Sequence, residues 1–308
     1  MRRLFVIGML LMTAQAAAAA EVARAGAHVF HSSFWMSLHE RLRHEALVPE
    51  TRDVADAEWT AATAAYRQQL GRRSAVFDEE LVRWTRAIAR SGDGALTKDV
   101  PEPLAAALHR AAPFYRAHDW PRDDAANRFW IAYAAELVRQ AGGDISARLA
   151  QAYGAPLPKA LHVEVAPYAD PFGANTPEAA GDLYLTTVAS RVPGIQGFSA
   201  LELLFHEPLH HLDTLFDGML AAAAKRANVP VPGNLSHAIL FYTVGDATRR
   251  ALAARGTSYT PYAYATGVHK RAWPELLPLL EEHWQAYLDG KLTRDDALAK
   301  ILTAAPRQ

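Results

Sequence analysis

The amino-acid sequence predicts a mainly α protein with one small β-sheet, an α+β fold, and three observations carry that expectation. Half of the 308 residues are hydrophobic and 21% are charged, the ordinary mix of a chain that buries a sizeable core, which excludes global disorder. From Ala27 to Tyr153 alanine, leucine and arginine dominate. Apolar residues there, such as Trp59, Tyr66 and Leu70, or Leu81, Trp84 and Ile88, recur at intervals of three and four, as one helix face requires. After residue 155 the texture changes: Leu161–Val165 alternates apolar with polar, and 182–188 is rich in strand formers.

Taken in order, the chain divides into three parts. Residues 1–20 carry Arg2 and Arg3, an apolar run from Leu4 to Met12 and the small residues Ala16–Ala20, which is the order of a secretory signal peptide cleaved near Ala20. The apolar run falls short of the ~20 residues that span a bilayer, so the expectation is an exported protein, periplasmic or secreted, with no membrane span in the mature chain. Residues 21–154 read as a helical region, with breakers at Ser91–Gly94, Pro101–Pro103, Pro121 and Gly142–Gly143. Residues 155–308 hold the two strands and then helices near 199–227, 235–254, 271–288 and 293–303. Ser199 and Glu202 have the spacing of a capping box, with Phe198 and Leu203 as its hydrophobic staple, so a helix is expected to begin at Ser199.

Composition removes several function classes. Lys plus Arg number 32 against 33 Asp plus Glu, leaving no sequence-wide attraction to nucleic acid. There is no cysteine, so thiolate catalysis, iron–sulfur clusters and Cys-ligated zinc are excluded, and any metal must be held by His, Asp or Glu. Neither a phosphate-cradling nor a dinucleotide-binding glycine motif occurs, and no Gly-x-Ser-x-Gly elbow supports a serine hydrolase.

The chemistry-bearing motif is Phe205-His206-Glu207-Pro208-Leu209-His210-His211. Histidines four apart share one helix face, so His206 and His210 can direct imidazole nitrogens at one metal ion. Glu207 stands beside them, where it can take a proton from a water activated by that metal. Asp213 and Asp217 continue the stripe, and Asp213 is placed to orient a liganding imidazole from behind. Pro208 lies inside the expected helix, where it removes a hydrogen bond to the Leu204 carbonyl and should kink the helix or force a local bulge.

On this motif, residues 160–255 resemble the zincin superfamily of zinc metallopeptidases. The resemblance implies a zincin-like catalytic region preceded by a helical region, Zn2+ held by His206 and His210, and Glu207 as general base. It also implies an edge strand at 181–189 along which an extended peptide or protein substrate would lie. The third ligand of the gluzincin branch is a glutamate on a following helix, and here no glutamate occurs between Glu207 and Glu275. His237 is the preferred replacement and Asp246 the alternative. Phe216 stands where metzincins have a third histidine. The expected activity is peptide-bond hydrolysis, against an alternative in which the region is an inactive binding or structural module. No feature bears on oligomeric state. His28, His31, His39 and His44 read as belonging to a first helix and its core, with His31 through Trp35 the one stretch there that can line a cleft. Tyr242, Tyr259, Tyr262, Tyr264 and His269 are candidates for polarising a substrate carbonyl.

Overall fold

A computed structural model describes residues 21–48, 55–71, 73–169, 171–177 and 183–306. The expected signal peptide, residues 1–20, lies outside the described residues, as do 181 and 182 at the start of the second expected strand. The architecture is mainly α with a small mixed sheet, as the sequence predicts. A hairpin of β1 (Glu21–Ala25) and β2 (His28–His31) leads into α1 (Phe34–Leu47), α2 (Ala57–Leu70), α3 (Glu79–Ser91), α4 (Glu102–His118) and the long α5 (Trp120–Tyr153). Strands β3 (Leu161–Ala166), β4 (Ala174–Asn175) and β5 (Leu185–Ala189) follow. The chain then forms α6 (Phe198–Leu209), a 3-10 turn at His210–Leu212, α7 (Asp213–Ala227) and α8 (Leu235–Ala253). Two short helices, α9 (Tyr262–Ala265) and α10 (Val268–Ala272), precede α11 (Leu277–Leu279), a π turn at Leu280–Trp284, α12 (Gln285–Leu288) and α13 (Arg294–Ala304). No helix among the described residues is long and apolar enough to cross a membrane.

The sheet runs in the order β1-β2-β3-β5-β4, with β2, β3 and β5 parallel and β1 and β4 antiparallel at its edges. Two expectations are corrected here. Residues 27–153 are not helical throughout, because the β2 strand pairs with β3 in register from His28↔Leu161 to His31↔Glu164. Alternation in so short a stretch is outweighed locally by helix-forming neighbours, and only the partner strand 130 residues away selects the extended state. The strand near 181–189 is also not an edge: β5 is flanked by β3 and β4, and the edge belongs to the two-residue β4.

Alternation gives the sheet two different faces. Phe30, Val163, Val165 and Val188 join α5, α6, α7 and α8 in the larger hydrophobic core. Leu185 points the other way, into a second core built by α1 to α4. The two cores therefore divide the chain differently from the change of texture at 155, since α5 and the β1–β2 hairpin belong with the later helices.

Local chemistry explains the helix ends. Asp56 accepts from the Trp59 N–H at 2.8 Å, Asp78 from that of Leu81 at 2.9 Å, and Thr293 from that of Asp296 at 3.1 Å, each satisfying an orphan donor of a first turn. Gly142 does not break α5. A Cβ there would lie 2.9 Å from Val138 Cγ1 and 3.1 Å from Phe205 Cζ, so the glycine exists to let α6 approach α5 closely. Likewise a Cβ on Gly245 would meet Pro261 Cβ at 2.7 Å, and its absence lets the 259–262 segment lie across α8.

That segment is tied to α6 by Glu202, which is not a capping residue after all. Helix α6 begins after Gly197 with no side-chain cap, and the Glu202 carboxylate accepts the Tyr262 N–H at 3.0 Å beside the Tyr259 hydroxyl. Burial pushes the Glu202 carboxyl up to about 7, against the pull of those two donors. An acid whose folded pKa lies above its unfolded value of 4.5 contributes stability in full below pH 4.5, and that contribution is lost as pH rises to about 7. Thermal denaturation from pH 4.5 to 7.5 should therefore show a decline of the order of 1–3 kcal/mol from this group, and Glu202→Gln, which keeps an acceptor for Tyr262, should flatten it. Superimposable profiles for the two proteins would contradict the assignment.

Candidate metal centre

The motif begins on α6 and ends on the 3-10 turn, so the two histidines sit on either side of a change in helix type. Pro208 is the reason. It has no N–H for the Leu204 carbonyl, which would be left as a buried unpaired acceptor. His28, on β2, supplies the missing donor: its Nε2 lies 2.7 Å from the Leu204 oxygen, and the ring is buried against Phe205 with centroids 5.0 Å apart. The irregularity is thus satisfied from the sheet, and the helix tightens into the turn at His210 without losing the shared face.

His206 and His210 lie with ring centroids 5.2 Å apart. His237 enters from the first turn of α8, which starts after Asn234 in the left-handed region at φ 59°. Its ring lies 5.6 Å from that of His206 and 5.3 Å from that of His210. One nitrogen from each of the three lies within 4.8 Å of the others. Tetrahedral zinc with bonds of ~2.0–2.1 Å sets its ligand nitrogens about 3.4 Å apart, inside the spacing found here. The alternative ligand, Asp246, faces elsewhere: its carboxylate is engaged by Arg249 at 2.5 Å and Arg250 at 2.6 Å. Asp246 lies nine residues beyond His237, which at 100° per residue puts it on the opposite side of α8.

Electrostatics prepares the donors. Burial, reinforced by the two neighbouring imidazoles, lowers the His206 pKa well below the usual histidine range, and burial with His210 nearby brings His237 down to about 4. Both rings are therefore neutral near pH 7 and carry a lone pair. Asp213 accepts from His210 Nδ1 at 2.7 Å, which makes Nε2 the lone-pair nitrogen of that ring. His206 Nδ1 is buried and has no hydrogen-bond partner among the described residues. Glu207 is buried, and desolvation raises its carboxyl above the ordinary value despite His210 and the hydroxyl of Thr176, just beyond β4. Thr176 is in turn 2.9 Å from the Thr186 hydroxyl.

The surroundings are aromatic. Phe241, one turn beyond His237, packs on His206 at 4.1 Å and on His237 at 5.0 Å, and Trp273 closes on His237 at 5.5 Å. These two residues and Thr176 complete the site without a signal of their own in the sequence, and His28, expected on a first helix, joins them from β2. The i,i+4 spacing of His237 and Phe241 was the one available signal. Several expected participants stand aside. Tyr242 donates to Gln285 and Tyr264 to Glu281, both at 2.8 Å, while His269 lies behind Trp273 with centroids 5.9 Å apart. Asp217 is exposed, and His211 turns towards Tyr184, with ring centroids 4.6 Å apart.

No family model, curated protein or solved structure matches the chain, so the reading of the site rests on its own geometry.

The His28–Pro208 compensation is testable by a double-mutant cycle. His28→Ala should cost about 1–3 kcal/mol for the orphaned carbonyl, in addition to lost packing. In a Pro208→Ala background the residue 208 N–H can reach Leu204, and the same change should cost less by at least ~0.5 kcal/mol. Equal costs by urea denaturation in the two backgrounds would show that the contact is incidental.

Proposed function

We propose that the protein is an exported zinc-dependent metallopeptidase, and the observation that carries the reading is the convergence of three imidazoles, from α6, the 3-10 turn and α8, beside a buried carboxylate. The donor set fits zinc: three imidazoles, two of them held neutral by burial and the third oriented by a carboxylate, inside an apolar wall. His206, His210 and His237 would hold the ion. When bound, zinc polarises the scissile carbonyl and lowers the pKa of its water towards ~7.

The chain's own groups do the rest. Glu207 takes the proton of the attacking water and delivers it to the leaving amine. Its raised pKa suits both steps, since a carboxylate too acidic would hold no proton to return. Asp213 keeps His210 in one tautomer through the cycle. Phe241 and Trp273 exclude bulk water, which strengthens each interaction between charges at the centre. An extended peptide would lie along the outer edge of β4, the edge strand beside Thr176 and Glu207, and add to the sheet as a further strand.

Two measurements test this. Elemental analysis should find zinc in the purified protein and much less at the centre in His206→Ala or His210→Ala. Glu207→Gln should keep the zinc and lose peptide hydrolysis by roughly 10²–10⁴-fold, because an amide cannot accept the proton. Loss of zinc along with activity would reassign Glu207 as a ligand. Wild-type protein that holds zinc at the three histidines yet cleaves no peptide would make the region a binding module.

A further inference from the structure

A second cluster of side chains able to ligate a metal, His31, His162 and Glu164, occupies the opposite face of the sheet. Parallel pairing of β2 with β3 sets His31 beside Glu164, and His162 lies two residues before Glu164 on the same face. One ligand atom from each of the three lies within 4.8 Å of the others. Glu164 is wholly buried. Its Oε1 accepts from His162 Nε2 at 2.8 Å and from the Ser33 hydroxyl at 2.9 Å. Ser33 is the N-cap residue of α1, but its hydroxyl caps nothing, and Asp93 accepts the Phe34 N–H in its place at 2.7 Å. The other carboxylate oxygen, Oε2, is sealed from water with no hydrogen-bond partner among the described residues.

The orphaned oxygen is one of a row. Glu164 pairs with Thr187 across β5, and Thr187 with Asn175 across β4, and Thr187 Oγ1 and Asn175 Nδ2 are buried without partners as well. A buried carboxylate oxygen lacking any donor is left without compensation for the water it has lost, and a cation that meets it restores that compensation. We propose that His31, His162 and Glu164 form a second divalent-metal site, whose two-nitrogen, one-oxygen donor set suits zinc and clasps β2 to β3 beneath α1.

The rings of His31 and His162 stack with centroids 3.9 Å apart and planes 9° from parallel. Imidazole lone pairs lie in the ring plane, so two parallel rings cannot both aim at one ion. Loading turns the part-exposed His162 about χ2, a broad torsion, and breaks its bond to Oε1, leaving the whole carboxylate edge to the ion. This site shares no residue with the three-histidine centre, so each can fail without the other.

The experiment strips the purified protein with chelator, reloads it with zinc, dialyses it and counts zinc per chain. Wild type should hold about two, the double variant His206→Ala/His210→Ala about one, and that double variant carrying His162→Ala none, with unchanged far-UV circular dichroism. X-ray absorption of the double variant should show two imidazoles and one carboxylate. A folded double variant with no zinc, or zinc that His162→Ala does not remove, overturns the proposal. If His162→Ala does not fold, Glu164→Gln replaces it, since glutamine keeps an acceptor for Ser33; zinc affinity should fall at least tenfold, and unchanged affinity overturns the proposal.

Discussion

The arrangement depends on one hydrogen bond. Pro208 removes the N–H that the Leu204 carbonyl would otherwise accept, and His28 replaces it from a strand 176 residues earlier in the chain. Because the carbonyl is met, the backbone can tighten from α helix to 3-10 turn at His210 without an unsatisfied group inside the core. The same contact anchors α6 to the sheet on one side, while Gly142 brings α5 against Phe205 on another. His206 is thereby held between two fixed neighbours, and the approach of His237 from α8 completes the triangle.

Desolvation connects this packing to chemistry. Burial lowers the pKa of His206 on α6 and of His237 on α8 and raises that of Glu207 on α6, because in each case the charged form loses its water. Glu202, one turn earlier on the same helix, obeys the same rule in a structural role, holding the 259–262 segment. Two glutamates on one helix are thus shifted alike by burial and differ in their partners, the Tyr262 N–H for one and His210 with Thr176 for the other.

Much of this was legible in the residues. The shared face of His206 and His210 and the place of Asp213 beside them follow from helical periodicity, which is a local property. The helices were readable for the same reason. Periodicity also sets His237 and Asp246 on opposite faces, and the preference for His237 rests on the suitability of imidazole for zinc. What was hidden depends on distant partners. Nothing near His28 marks it as a strand residue or as the donor for Leu204, although Pro208 did announce that some donor was needed. Glu202 fits a capping pattern, but the Tyr262 N–H takes its carboxylate once the chain has folded. The hydrophobic texture change at 155 is real, yet α5 and the first hairpin cross it, because cores are assembled by contact and not by order along the chain.

The pairing of β2 with β3 has a kinetic meaning. Helices form from neighbours and can appear early, but the strand that carries His28 finds its partner only after five helices have been placed between them. The loop that must close spans about 130 residues, and its entropy is lost before any contact rewards it. Assembly of the histidine triangle therefore waits on one of the chain's longest-range closures. A chain interrupted before β3 forms would carry well-made helices without the sheet that anchors α6, so the three histidines come together late and all at once.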